Sequence, residues 1–280
     1  MKTIFKHIFL LLSISLITAC SNEDEPSSLP SGATEVTKGI SSFTSLSELY
    51  QPVHSELLGT LLSGKEAMTF NRNGWEMYHR YDNDVKYEYF DMTGWYGFAS
   101  TMPKEIIFSE GKVWAPYSTF SSAFGPSKFG MAWDAYKKVS GVTASLYVGH
   151  DFKYDESNRK ITFLGRSFDM LLFNRNSMVM AENQPSYQAC PEENRYKEGD
   201  VFEITSYERT ADVALLEPGA IGFASNAEVM AYIIGKCREQ FGEVINLNEV
   251  YAPNVILDDP YIYIEDLEKL AESGYHCGQY

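Results

Sequence analysis

The stretch that decides the fold is KITFLGRSFDMLLFNRNSMVMA, residues 160–181. It contains three short runs rich in β-forming residues, joined by residues that favour turns. The runs are Lys160–Leu164, Ser167–Phe173 and Ser177–Ala181, and the turns are Gly165-Arg166 and Asn174–Asn176. Strands separated by two or three residues pair with each other in antiparallel fashion, because a parallel connection needs a much longer crossover. The stretch therefore predicts an antiparallel sheet.

Strand-like runs continue this pattern on both sides. Ile106–Ser109, Glu110-Gly111 and Lys112–Ala115 read as strand, tight turn and strand, which predicts a hairpin. Further strands are predicted at Met68–Phe70, Trp75–Tyr81, Tyr87–Tyr89, Val142–Phe152 and Val201–Glu208, with turns at Asn73-Gly74, Asp82–Asp84 and Tyr154–Asn158. Short strands at roughly 8–12-residue spacing are typical of an antiparallel barrel or sandwich.

Helical spacing appears near both ends of this region. Leucines recurring every three or four residues predict a helix over about His54–Leu62, ending near Gly64. After Pro218, Ser225 and Glu228 form a capping-box pattern that predicts a helix over Asn226–Phe241. Its apolar face carries Val229, Ile233, Ile234 and Cys237, and a second short helix is predicted at Glu265–Ser273. We therefore expect a mainly β fold with a smaller C-terminal α+β segment.

The middle of the chain resembles the lipocalin-like β-barrel lipoproteins of Bacteroidetes. The resembling pieces share a pattern of strand, charged turn and strand, and they are Ile106–Val113, Phe152–Asp155, Ile161–Phe163 and Met178–Met180. The resemblance implies a lipocalin-like barrel and carries no catalytic residue. We expect four parts: a signal peptide at 1–19, a tether at 20–43, a barrel-like domain at 44–183 and the α+β segment at 184–280.

The N-terminus has the pattern of an export signal. Lys2 and Lys6 precede the apolar run Ile8–Ile17, which is too short to span a bilayer as a helix. The residues that follow, Thr18-Ala19-Cys20, resemble the bacterial lipobox together with Leu16 and Ile17. The resemblance implies that the signal is cut before Cys20 and that Cys20 is lipidated. Several acyl chains on one residue would give stable membrane anchoring.

The residues after the cysteine refine the expected location. Ser21–Glu25 is polar and acidic and resembles the export signal of surface lipoproteins in Bacteroidetes. Ser21 in place of Asp favours the outer membrane, by resemblance to the enterobacterial sorting rule. We expect a chain anchored in the cell outer membrane, with the cell surface as one option for its exposure. The polar composition of residues 21–43 predicts a flexible tether.

The charge limits the partners. Loss of Lys2 and Lys6 with the signal takes the net charge from -15 to -17, which argues against nucleic acid and against anionic lipid surfaces. Neutral glycans, cations and basic peptides stay compatible with this charge.

In an oxidising compartment the remaining thiols, Cys190, Cys237 and Cys277, allow one disulfide. Cys237–Cys277 is favoured because both lie in the C-terminal segment.

The chain has few patterns that indicate catalysis, and no catalytic residue, cofactor or metal site is predicted. It lacks the common hydrolase, zinc-protease and nucleotide-binding motifs. His79 alternates in phase with Trp75 and Met77, which favours a histidine tucked into a sheet, and His150 reads as a strand-end residue. The acidic pairs Glu88/Asp91 and Asp258/Asp259 carry no flanking pattern, and the acids up to Asp266 lack calcium-loop spacing.

Aromatic residues give the clearest indication of a binding site. All four tryptophans lie between Phe70 and Tyr136. Such rings either fill a β core or stack on ligands such as sugars. The candidates for ligand contact are Trp75, Trp95, Tyr96, Trp114 and Trp133. We expect two or three aromatic rings of this region to surround a pocket or barrel mouth.

Three functions agree with these observations. The first is a lipid-anchored, non-enzymatic binding module for a glycan, a small hydrophobic ligand or a protein. The second is a hydrolase of polysaccharide or peptide that uses two carboxylates, and its mark would be two acids facing each other in an aromatic cleft. The third is a structural or accessory subunit of an outer-membrane assembly, marked by an exposed apolar patch.

Overall fold

The computed structural model describes residues 36–81, 84–90, 100, 102–117, 128–183, 201–211, 219–251 and 259–273, which belong to one unit of the chain, Gly32–Tyr280. The strands in chain order are β1 (Ser42–Phe43), β2 (Met68–His79), β3 (Tyr87–Phe90), β4 (Glu105–Ser109), β5 (Lys112–Pro116), β6 (Leu146–Asp151), β7 (Lys153–Asp155), β8 (Lys160–Phe163), β9 (Arg166–Phe173), β10 (Ser177–Asn183), β11 (Val201–Ala211), β12 (Ile221–Phe223), β13 (Val244–Asn246) and β14 (Tyr261–Tyr263). The helices are α1 (Ser55–Leu62), α2 (Lys128–Ser140), α3 (Asn226–Phe241), α4 (Leu247–Tyr251) and α5 (Ile264–Glu272), with a 3₁₀ helix at Leu46–Leu49.

One large sheet dominates the described residues. Its strands are hydrogen-bonded in the order β12-β6-β5-β4-β2-β11-β10-β9-β8-β7, and β3 joins β2 to β1 at the side of this path. Each described pair is antiparallel except β12–β6, which is parallel. The sheet curls into a half-barrel. The prediction of a mainly β, antiparallel fold with a smaller helical part is therefore confirmed.

Two ring contacts define the curl of the sheet. Phe108 of β4 and Phe173 of β9 lie on strands four steps apart, which would place them about 19 Å apart in a flat sheet. Their ring centroids are 6.3 Å apart, and those of Phe70 and Phe173 are 5.9 Å apart. The face that carries these rings is therefore the inner face of the half-barrel. Three leucines of α1, Leu57, Leu58 and Leu61, belong to the same core.

The outer face is covered by the segment before α1. Val36, Phe43 and Leu49 are buried in one cluster with Tyr78 of β2 and Ile204 of β11. β1 also pairs with β3, Phe43 being opposite Tyr87. Residues 36–43 therefore belong to the folded part of the chain, because they contribute apolar side chains to this core. The boundary of the expected tether, 20–43, was placed too far toward the C-terminus.

A second core joins the helices to the β6–β12 end of the sheet. Buried residues of α2, α3 and α5 meet Leu146 and Val148 of β6, together with the inner residues of the two-stranded sheet β13–β14. α3 begins after the N-cap Ser225 and ends before Gly242, as the sequence predicts. The predicted apolar face of this helix is buried, so that prediction is also confirmed.

Two predictions about elements were wrong, and one element was missed. β2 runs without interruption through Asn73-Gly74, and the expected turn is a bulge at which the register with β11 shifts. α2 was missed, because no element was predicted between Ala115 and Val142. β11 was assigned to the C-terminal segment, yet it lies in the middle of the sheet between β2 and β10. The expected division at 183/184 therefore does not separate two domains.

Candidate functional site

The inner face of the half-barrel has an apolar end and a polar end. The apolar end holds the packed phenylalanines and α1. Strand alternation and register place a second group on the same face, beyond the apolar end: Thr205 lies opposite Trp75, Glu203 opposite Met77, and Glu182 opposite Glu203. We call this group the polar end and define it as Arg72, Trp75, Arg166, Glu182, Glu203 and Thr205.

Two glutamates lie side by side on neighbouring strands at the polar end. Glu182 of β10 and Glu203 of β11 are direct cross-strand partners. Side chains in such positions have their Cβ atoms about 4.5–5.5 Å apart. Glu203 is fully buried, and its carboxylate accepts hydrogen bonds from Ser100 Oγ and, at 3.1 Å, from Thr205 Oγ1. These donors reduce the cost of burying the charge.

Glu182 is held by Arg166. The guanidinium donates from Nε to Oε1 at 2.7 Å and from Nη2 to Oε2, so the pair is bidentate. Both side chains are mostly buried, with 18% of Arg166 and 10% of Glu182 exposed. The guanidinium carbon of Arg166 also lies 5.2 Å from the centroid of the Phe168 ring. This geometry fixes one acid of the pair in a single orientation.

Ser100 and residues 102–104 lie beside the polar end. Arg72 donates from Nη1 to the carbonyl of Met102 at 2.9 Å, and the Tyr207 hydroxyl donates to the carbonyl of Pro103 at 2.9 Å. Burial is the main cause that raises the pKa of Tyr207, and the charge of Glu203 raises it further, while Arg72 and Arg166 lower it. All four charged groups of the polar end therefore act on the hydroxyl of Tyr207.

The chemistry of the polar end suits a neutral, polar ligand. Its two carboxylates and two guanidiniums balance in charge, so it favours neither an anion nor a cation. Trp75 is only half-buried and lies on the same face beside Thr205. An aromatic ring next to hydrogen-bonding groups that can both donate and accept is the combination that binds sugar rings.

The three predicted tryptophans that the structure describes, Trp75, Trp114 and Trp133, do not come together. Trp75 lies at the polar end, whereas Trp114 is on the opposite face of the sheet, where its indole nitrogen donates to the carbonyl of Ser109 at 3.3 Å. Trp133 lies in α2, is buried in the second core, and stacks on Tyr136 with 5.2 Å between centroids. Trp133 is therefore a core residue. Trp95 and Tyr96 lie outside the described residues.

The cysteines give one correction. Cys237 is a free, fully buried thiol that donates to the carbonyl of Ala132 at 3.4 Å, and burial raises its pKa to about 12. The predicted Cys237–Cys277 disulfide is wrong for Cys237, because its sulfur faces the core between α2 and α3. Cys277 itself lies outside the described residues, as do Cys20 and Cys190.

The other candidates for chemistry are dispersed. His79 is buried on the inner face, as the alternation predicted, and burial lowers its pKa as well as that of His150. Glu88 and Asp259 are exposed, and Asp91 and Asp258 lie outside the described residues. Among the residues that the structure describes, no cluster of His, Cys, Asp and Glu could hold a metal ion.

A separate groove of about 1090 Å³ lies on the surface beside α1. Glu66 and Arg175 line it and form a bidentate ion pair at 3.0 and 3.1 Å, with much of both side chains exposed. His54 and Thr60 also line the groove. None of the described residues that line this groove is a tryptophan, tyrosine or phenylalanine, whereas the polar end carries the half-buried ring of Trp75, so the polar end is the better candidate for a ligand that stacks on an aromatic ring.

Sequence reasoning missed the charged residues of the polar end. One signal was present: Glu203 alternates in phase with Val201 and Tyr207, so it occupies a position expected to face the core. Glu182 is likewise in phase with Met178 and Met180. Acids at such positions indicate a buried polar network. Their mutual pairing depends on the order of strands in the sheet, which the sequence pattern does not contain.

Comparison with known proteins gives no relative. No protein-family profile matches the chain, and neither a curated protein nor a solved structure matches it.

Among the helices in the described part of the chain, none is both long and apolar enough to cross a membrane.

Proposed function

We propose that this chain is a lipid-anchored binding protein of the bacterial cell envelope and that it binds a glycan at the polar end of its half-barrel. The observation that carries the proposal is the position of Trp75, a half-buried ring on the same face as two guanidiniums and two carboxylates. Sugar hydroxyls both donate and accept hydrogen bonds, so they match a site of this mixed character.

The packing of the apolar end supports a glycan over a small hydrophobic ligand. Phe70, Phe108 and Phe173 are fully buried and contact one another, and α1 packs against the same cluster. A hydrophobic ligand would have to displace these side chains, because protein interiors are densely packed. At the polar end, by contrast, Trp75 is only half-buried, so part of its ring is accessible to a ligand in the structure as it stands.

The lipid anchor is supported by the order of residues at the N-terminus. A basic start, a short apolar run and Thr18-Ala19-Cys20 together resemble a lipoprotein signal, and we place the chain in the cell outer membrane. Metabolic labelling with a radioactive fatty acid tests this part. We expect label on the wild-type chain and none on Cys20→Ala, while label retained by the variant would refute the anchor at Cys20.

The glycan site is tested by a glycan array followed by titration calorimetry of the best ligand. Trp75→Ala removes the stacking surface, and we expect it to weaken binding at least about tenfold. Trp114→Ala is the matched control, since Trp114 is also half-buried in the same sheet but lies on the outer face. Equal losses in both variants, or no ligand on the array, would contradict the proposal.

A carboxylate-based hydrolase is the second candidate, because Glu182 and Glu203 are cross-strand partners. Retaining glycosidases place their two carboxyl groups about 5–5.5 Å apart, which neighbouring strands allow. Two facts weigh against catalysis: Arg166 holds Glu182 in a bidentate pair, and Glu203 is fully buried. We therefore rank binding first.

Release of reducing ends from the bound oligosaccharide separates the two candidates. A hydrolase would release them, and Glu203→Gln and Glu182→Gln would each lower the rate by orders of magnitude. We expect the wild-type chain to leave the oligosaccharide intact. Turnover that both glutamine variants abolish would replace the binding function by the enzymatic one.

A further inference from the structure

An exposed aromatic surface lies on the small sheet β13–β14. Val244 is the cross-strand partner of Tyr263, and Asn246 is the partner of Tyr261. Val244, Tyr261 and Tyr263 are 38%, 45% and 49% exposed, and the two tyrosine rings are 6.5 Å apart at an angle of 35°. We call Val244, Asn246, Tyr261 and Tyr263 the tyrosine platform.

The platform is held rigidly from behind. The residues that alternate with it, Ile245 and Ile262, are buried in the second core, where α3 and α5 also pack. Backbone hydrogen bonds close both ends of the small sheet, from Leu247 N to the carbonyl of Pro260 at 2.8 Å and from Ile264 N to that of Glu243 at 3.0 Å. A rigid surface loses little entropy when a partner binds to it.

The part of the chain that carries the platform is strongly acidic. Residues 226–251 and 259–273 contain nine acidic side chains and three basic ones. Each basic side chain is already in an ion pair, namely Lys236 with Glu239, Arg238 with Glu243 and Glu268, and Lys269 with Glu265. Asn246 Nδ2 donates to Glu249 at 2.7 Å, which holds a carboxylate beside the platform. Lys128 of α2 adds one further basic side chain, paired with Asp266, so the net charge of this part of the molecule stays negative and favours a cationic partner.

We infer that the tyrosine platform binds a basic segment of a partner protein, in an interaction separate from the glycan site. Guanidinium and ammonium groups are attracted to the faces of aromatic rings, and the surrounding carboxylates add long-range attraction. A neutral glycan would use the rings but gain nothing from the excess of acids. The charge excess is thus the feature that favours the basic segment.

Fluorescence anisotropy of a labelled oligo-arginine peptide against the full chain, purified in detergent, tests the inference. We expect binding that weakens as salt is raised. Tyr261→Ala/Tyr263→Ala is expected to weaken binding about tenfold, since two exposed cation–π contacts are lost. Tyr261→Phe/Tyr263→Phe keeps both rings and is expected to bind like the wild type.

Tyr81→Ala/Tyr89→Ala is the matched control, because Tyr81 and Tyr89 are 42% and 47% exposed but Tyr81 follows β2 and Tyr89 lies in β3, in the large sheet. It should bind the peptide normally, and circular dichroism checks that each variant is folded. The inference is overturned if the wild-type chain does not bind the peptide or if both alanine pairs lose affinity equally. The inference is also overturned if Tyr261→Ala/Tyr263→Ala loses binding to a neutral oligosaccharide but keeps its binding to the peptide. That result would make the platform a glycan site.

Discussion

Glu203 occupies a strand position at which an apolar side chain is expected. Its neighbours on the same face, Val201 and Tyr207, are both buried. A buried carboxylate without partners would be protonated or would destabilise the fold, so the donors Ser100 and Thr205 are part of what makes this position tolerable. The same reasoning applies to Glu182, whose charge is matched by Arg166.

Two of the bidentate Arg–Glu pairs, Arg166–Glu182 and Arg175–Glu66, allow a direct comparison of burial. Arg166→Ala leaves Glu182 mostly buried without its guanidinium, and we expect it to lower the free energy of unfolding by about 3 kcal/mol. The side chains of Arg175 and Glu66 are 56% and 34% exposed. Arg175→Ala breaks this pair and should lower the free energy of unfolding by less than about 1 kcal/mol. Urea denaturation of both variants measures the difference. Similar costs would show that the pair at the polar end is not desolvated.

At the scale of elements, hairpins and helices whose ends are determined by nearby residues were predicted from the sequence. The hairpin at Glu110-Gly111 forms with both turn residues at positive φ, 56° and 72°, and α3 has the predicted bounds. α2 was missed although Phe129, Ala132, Trp133 and Tyr136 recur at helical spacing, because aromatic residues also suit strands. The position of β11 between β2 and β10 could not be predicted, since it depends on contacts between residues far apart in the chain.

The start of α3 gives a prediction at this scale. Ser225 accepts a hydrogen bond from Glu228 N at 3.3 Å, while Glu228 accepts one from Ala224 N at 3.0 Å. Ser225→Ala should lower the free energy of unfolding by about 1 kcal/mol. His54 is the N-cap of α1 and its side chain makes no capping bond there, so His54→Ala should change little. Thermal denaturation compares the two, and an equal loss would show that the side chain of Ser225 does not cap α3.

At the scale of the whole molecule, two histidines link stability to pH. Burial lowers the pKa of His79 and of His150, and Lys112 lowers that of His150 further. The unfolded chain therefore binds protons more readily below about pH 6.5, the ordinary pKa of histidine. Stability contributed by the neutral histidines is present above that pH and is lost as pH falls below it.

We expect the free energy of unfolding to fall between about pH 7 and pH 5.5. The double variant His79→Gln/His150→Gln should show a shallower decrease over the same range. Denaturant titrations at several pH values test this. A wild-type slope that the double variant leaves unchanged would assign the pH dependence to other groups.

The central claim for the whole molecule is that a glycan binds at the polar end of the half-barrel. Hydroxyl-radical footprinting with mass spectrometry tests it most directly, because it reports each tryptophan separately. With the glycan bound, we predict less oxidation of Trp75 and unchanged oxidation of Trp114, which lies on the outer face. Unchanged oxidation of Trp75, or equal protection of both tryptophans, would contradict the claim.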